Sequence, residues 1–283
     1  MRPSNINGLR RSPVPVPYVP NDPVTTLDRR DGPYGEVVLR RRGPAEGAPP
    51  VYEIIANGCF LMDTSDGRSE RLLVDAALRA LPAGRPEPAV LIGGLGVGFS
   101  LAHAAAEPRW GRITVVERER AVIDWHRAGP LSAVSGAALA DPRVRIEEAD
   151  LLAYLDAPAP APATSLDAPA PATYPHTPAA APAAYPGDTA PAPGHHYDAI
   201  CLDIDNGPDW TVTEDNKGLY SPTGLAACRA RLRPGGVLAV WSAQPSERFE
   251  EALRNAGFAG VTTEEIIVAR GVPDVVHLAV LAA

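Results

Sequence analysis

Apolar positions along the chain change period as they run from the N-terminus. Residues 34–64 carry three short strand-like runs, Glu36-Val37-Val38-Leu39, Val51-Tyr52-Glu53-Ile54-Ile55 and Cys59-Phe60-Leu61-Met62-Asp63. Asn57-Gly58, between the last two, predicts a tight hairpin because both residues tolerate positive φ. Arg40-Arg41-Arg42 closes the first run and reads as a solvated strand edge. Over 69–81 the period becomes helical, with Leu72, Leu73, Ala76, Ala77 and Ala80 spaced for one face. Beyond Pro82, strand-like segments at 89–92, 113–116, 144–146, 198–202 and 237–241 alternate with helical ones at 99–106, 120–127, 151–155, 222–232 and 247–256. Segments 261–269 and 275–282, joined through Gly271 and Pro273, read as a closing hairpin. This alternation predicts an α/β fold: a Rossmann-like, mostly parallel sheet over 69–283, an antiparallel C-terminal hairpin and a small N-terminal β-hairpin region at 34–68.

Two stretches fall outside the pattern. Residues 1–33 are rich in Pro and Arg without periodicity and read as a flexible leader. Residues 157–194 are mostly Ala, Pro, Thr, Tyr and Gly, with Leu166 the one large aliphatic. Such a segment cannot bury enough surface to offset ordering entropy, so a disordered insertion without catalytic role is expected.

Composition narrows the function. The 283 residues carry a net charge of −8, which argues against a general nucleic-acid binder. No apolar run approaches the ~18 residues of a spanning helix, and the first twenty residues lack a signal-peptide core. Cys59, Cys201 and Cys228 are isolated, without the spacing of a zinc site, so no metal and a reducing cytoplasm are expected.

The sharpest chemical signal is Gly93-Gly94-Leu95-Gly96-Val97-Gly98, between a strand and a helix. Glycines there let the backbone approach a ligand at a helix N-terminus. Glu117 ends the next strand, about 24 residues after Gly93, near the spacing of a ribose-binding acid. Asp150 follows the third strand, where it can meet an adenine amine or cap a helix. The fourth strand ends in an acidic mouth, Asp203-Ile204-Asp205-Asn206-Gly207-Pro208-Asp209-Trp210, suited to a cationic substrate or a proton acceptor. Trp210 and Tyr220 are candidates for the pocket wall, and Trp125 for packing. His103 and His126 lack an evident paired base, His195 and His196 read as solvated and His277 as a structural residue, and no Ser/His/Asp or Cys/His order suggests nucleophilic catalysis.

In this order, Ile92-Gly93-Gly94, Val115-Val116-Glu117, Asp150, Tyr197-Asp198-Ala199-Ile200-Cys201-Leu202-Asp203 and Leu219-Tyr220-Ser221 resemble the spermidine/spermine synthase family on the class I methyltransferase-like fold. The resemblance covers residues 35–283 without the insertion. It implies decarboxylated S-adenosylmethionine as cofactor, aminopropyl transfer to an amine, and an arrangement that is often dimeric. It also implies that Gly94 and Gly96 line the cofactor, Glu117 holds the ribose, Asp150 the adenine, and Asp203 the attacking amine; Asp205 and Asp209 offer further negative charge, from other positions than the family's. The family's glycine loop carries an Asp where this chain has Gly96, and its Asp-x-x-Asp loop ends on Asn206. Ser69-Glu70-Arg71-Leu72 stands where the family has an acidic-aromatic stretch, without Tyr or His. Losing the loop Asp moves preference towards intact S-adenosylmethionine, so methyl transfer is the alternative activity. A non-catalytic nucleotide-binding scaffold is the third.

Overall fold

The computed structural model describes residues 23–43, 49–157, 196–266 and 272–282. The insertion expected at 157–194 therefore lies outside the described residues, except for Ala157. Among the described residues, eleven strands and seven α-helices build two sheets.

The N-terminal sheet is antiparallel, in the order β1 (Val24–Gly32), β2 (Gly35–Arg42), β3 (Val51–Ala56), β4 (Cys59–Asp63). Residues 24–32, expected within the flexible leader of 1–33, therefore form a strand, while residues 1–22 of that leader lie outside the described residues. β1 escaped the hydrophobic pattern because all its residues except Asp28 are exposed, leaving no apolar alternation. It is held by its ladder to β2 and by two links to a later helix: Trp125 Nε1 donates to Asp28 at 2.8 Å, and Arg30 pairs with Asp124 at 2.7 Å. Asn57 and Gly58 make the β3–β4 turn with φ of 50° and 78°. The arginine run is not a solvated edge, because β2 is an inner strand. Alternation turns Arg42 inward, where Glu53 and Asp63 from the next two strands pair with it at 2.7 and 3.1 Å.

The second sheet has seven strands in the order β10-β11-β9-β8-β5-β6-β7: β5 (Ala89–Gly93), β6 (Arg112–Glu117), β7 (Val144–Glu148), β8 (Tyr197–Leu202), β9 (Leu232–Ser242), β10 (Ala259–Ile266) and β11 (Asp274–Val280). β5 to β9 are mutually parallel, and β11 runs antiparallel to β9 and β10. β9 starts at Leu232, earlier than expected, through a pairing with Tyr197 that precedes a register shift.

Side-chain alternation divides the apolar residues between two layers. Val90 and Ile92 face α1 (Arg68–Ala80), α2 (Phe99–Ala106), α3 (Arg120–Arg127) and α4 (Ser132–Leu139). Ala89 and Leu91 face α5 (Leu151–Asp156), α6 (Pro222–Arg231) and α7 (Glu247–Asn255). A run buried on both faces is what a central parallel strand requires. Val37, Leu39 and Ile54 of the N-terminal sheet belong to the first cluster, so one core serves both sheets. α4 and a 3₁₀ turn at Glu214–Tyr220 were not expected; Ser-Ala-Val-Ser-Gly-Ala-Ala-Leu is too small-sided to show a helical period, and the 3₁₀ turn is mostly polar. Among the described residues, no helix is long and apolar enough to cross a membrane.

Candidate active site

The order of the large sheet reverses beside β5, between β6 and β8, and ligands bind outside the carboxyl ends of strands at such a point. The glycine turn after β5 meets the loop after β8 there. Gly94 has φ of 90°, and a Cβ on it would lie 2.7 Å from the Asp203 carbonyl oxygen. Only glycine permits that approach. Gly94 and Gly96 line a cleft of about 120 Å³ together with Glu117, Asp150, Asp203 and Asp205.

The other two glycines expected at the ligand do not line this cleft. Gly93 is packed under Leu151, whose Cδ2 would be 2.6 Å from a Cβ. Gly98 makes room for His126, whose Cε1 would be 2.7 Å from a Cβ there. His126 is buried, with Nε2 2.8 Å from the Gly96 carbonyl and Nδ1 2.7 Å from Ser135 Oγ. A carbonyl only accepts, so Nε2 carries the proton and donates. Burial pushes His126 down to about 4, which keeps it neutral. It pins the turn whose φ values are positive at Gly94, Gly96 and Gly98.

Glu117 ends β6 as a buried carboxylate. It accepts from Leu95 N–H at 2.9 Å and Glu119 N–H at 2.8 Å, while burial raises its pKa. Asp150 caps α5 by accepting from Ala153 N–H at 2.9 Å, and it also lines the cleft.

A second cavity, of about 320 Å³, shares Asp203, Asp205, Leu61 and Met62 with the first. Its further acids are Asp63, Asp66, Glu70 and Asp274, and Arg68 is its one lining cation. Arg68 pairs with Asp66 at 2.6 Å. Burial, and then the Asp203 charge, push Glu70 up to about 8. Burial, and then Asp274, push Asp203 up to about 6. Such shifts mark carboxylates crowded together, short of positive charge. Among the described residues, no group of acids, His or Cys is disposed to hold a metal ion.

A polar chain crosses the first cleft. Arg118 lies 4.4 Å over the Tyr34 ring and donates to Asn216 Oδ1 at 3.0 Å and Thr213 Oγ1 at 2.9 Å. Asn216 donates onward to Asp205 Oδ2 at 2.9 Å.

Three residues expected at the substrate line neither cavity. Asp205 and Gly207, with φ of 55° and 100°, turn the chain back, so that Asn206 N–H meets Trp210 O at 3.2 Å. The turn leaves Asp209 exposed and Trp210 at 61% exposure. Tyr220 is buried, donates to Ile204 O at 2.9 Å and stacks edge-on against Phe249. Conversely, Glu70, Asp274, Met62, Arg118 and Asn216 reach the site without having been expected there. Glu70 was noted only for its neighbours' lack of Tyr or His, and the others belong to no spacing a sequence displays.

No family model and no curated protein matches the sequence. Two solved spermidine synthases are similar in structure. One, in complex with the transition state analogue AdoDATO, superposes with a TM-score of 0.63 at 16% identity, covering 90% of this chain and 73% of that one. The other, from Thermotoga maritima, gives 0.60 at 15% identity, covering 90% and 72%. The fold is spermidine synthase-like. The space that a Cβ on Gly96 would enter is filled by the Met62 sulfur, and Asn206 closes the loop turn through its backbone.

Proposed function

We propose that the chain is a transferase that alkylates an amine from an S-adenosyl nucleotide, in the manner of an aminopropyltransferase. One observation carries the reading: Asp203 stands on the wall shared by the glycine-turn cleft and the acidic cavity. The residues present fit a nucleoside in the cleft. Gly94 brings bare backbone to it, and Glu117 offers a buried carboxylate at the end of β6 to ribose hydroxyls. Asp150 would meet the base. When bound, the nucleotide supplies an alkyl carbon on a sulfonium, already activated for displacement.

The chain's part is alignment and proton removal. The acidic cavity attracts an ammonium, and Asp205 holds it beside Asp203. Asp203, raised to about 6, accepts a proton from that ammonium and frees the nitrogen lone pair. The similar spermidine synthases support aminopropyl transfer as the reaction class. A methyltransferase reading is favoured by one feature, the neutral Met62 thioether beside Gly96 where the family has a carboxylate.

Turnover with decarboxylated and intact S-adenosylmethionine, on a panel of diamines, tests both. Asp203→Asn should lower turnover by about 10²–10⁴-fold while nucleotide binding changes little. Equal loss of binding would remove Asp203 from the chemistry.

A further inference from the structure

We propose that Asn216, oriented by Arg118, is a positioning residue that aims the Asp205 carboxylate at the amine cavity. The inference rests on the reading of that cavity as the amine site.

Asp205 lines both cavities and sits at φ of 55°, a left-handed conformation that non-glycine residues seldom hold unless their surroundings impose it. Its Oδ2 accepts from Asn216 Nδ2 at 2.9 Å. Asn216 is 7% exposed, so little water competes for the bond. Chemistry fixes which way the amide points. A guanidinium only donates and an ionised carboxylate only accepts. Arg118, 3.0 Å from Asn216 Oδ1, therefore binds the amide oxygen and turns its NH₂ group towards Asp205. Arg118 is fixed in turn by Thr213 and by the face of Tyr34. The interposed amide matters. A direct Arg118–Asp205 ion pair would orient the carboxylate but consume its charge. Through Asn216 the carboxylate is oriented by a neutral donor and keeps its charge for a cation.

The test is calorimetric binding to the full chain, with 1,4-diaminobutane as amine probe and 5′-methylthioadenosine as nucleoside probe. Wild type, Asn216→Ala, Asp205→Asn and the double variant are compared, with thermal melts confirming folding. Asn216→Ala is expected to weaken the diamine about tenfold and the nucleoside by less than about threefold, the scale of one lost charge-assisted hydrogen bond. Because Asn216 acts through Asp205, Asn216→Ala should add nothing in the Asp205→Asn background. A merely structural Asn216 would weaken both probes, or add its full loss in the double variant, and either result overturns the proposal. Wild-type diamine binding with an unaffected Asn216→Ala overturns the positioning role alone. A wild type that binds the nucleoside but no diamine overturns the amine reading and this inference with it.

Discussion

The Met62 sulfur fills the space that a side chain at position 96 would enter. Met62 comes from β4 and Gly96 from the turn after β5, so the two sheets touch at the glycine-turn cleft. Met62 Sδ also accepts from Val97 N–H at 3.1 Å. Introducing an acid here is a steric problem before it is an electrostatic one. Gly96→Asp should cost about 1–3 kcal/mol, the usual range for overpacking. Adding Met62→Ala should recover part of it, as thermal denaturation of the single and double variants would show. Strictly additive losses would mean that the sulfur is not the obstacle.

Glu70 carries a pH signature. Its folded pKa stands near 8, above the ordinary 4.5, through burial first and the Asp203 charge second. The folded chain therefore binds that proton more tightly than the unfolded one. The stabilisation is complete below the ordinary value and is lost as pH rises towards about 8. Glu70→Gln should flatten this fall, measured as urea midpoints at several pH values across the window. An unchanged slope would place the proton elsewhere.

His126 slopes the other way. Burial depresses it from 6.5 to about 4, so its contribution is present above the ordinary value and is lost as pH falls towards about 4. His126→Phe keeps a ring but strands the Gly96 carbonyl and leaves the Ser135 hydroxyl only its longer bond to Leu131 O. It should destabilise the chain by about 1–3 kcal/mol, flatten this acid limb and weaken 5′-methylthioadenosine binding through the loosened turn. Denaturation curves with and without the nucleoside separate the two effects. Unaltered nucleoside affinity would confine His126 to the core.

Legibility followed the physics of each element. Ala89-Val90-Leu91-Ile92 could be read as a central strand because burial on both faces leaves only apolar residues. Glu117 and Asp150 could be found because a strand end is a fixed place in such a sheet. β1 could not, since its anchors, Asp28 and Arg30, bond to residues about a hundred positions away. Trp210 and Tyr220, candidates for the pocket wall, line neither cavity, for a reason no sequence spacing displays. The left-handed Asp205 and Gly207 send one outward, and the Tyr220 hydroxyl ties the other to Ile204 inside. Glu70, Asp274 and Asn216 meet the loop after β8 only through tertiary packing, which leaves no periodic trace.

Because Val37, Leu39 and Ile54 share one apolar cluster with Leu73, Val90 and Ile92, the N-terminal sheet is no detachable module. Severing the chain between Asp63 and Arg68 would expose that shared cluster on both fragments and leave the N-terminal one without a core of its own, while the larger keeps the second cluster around Leu91 and Leu202. The two sheets should melt as one cooperative unit, and the glycine-turn cleft should be lost in that same transition.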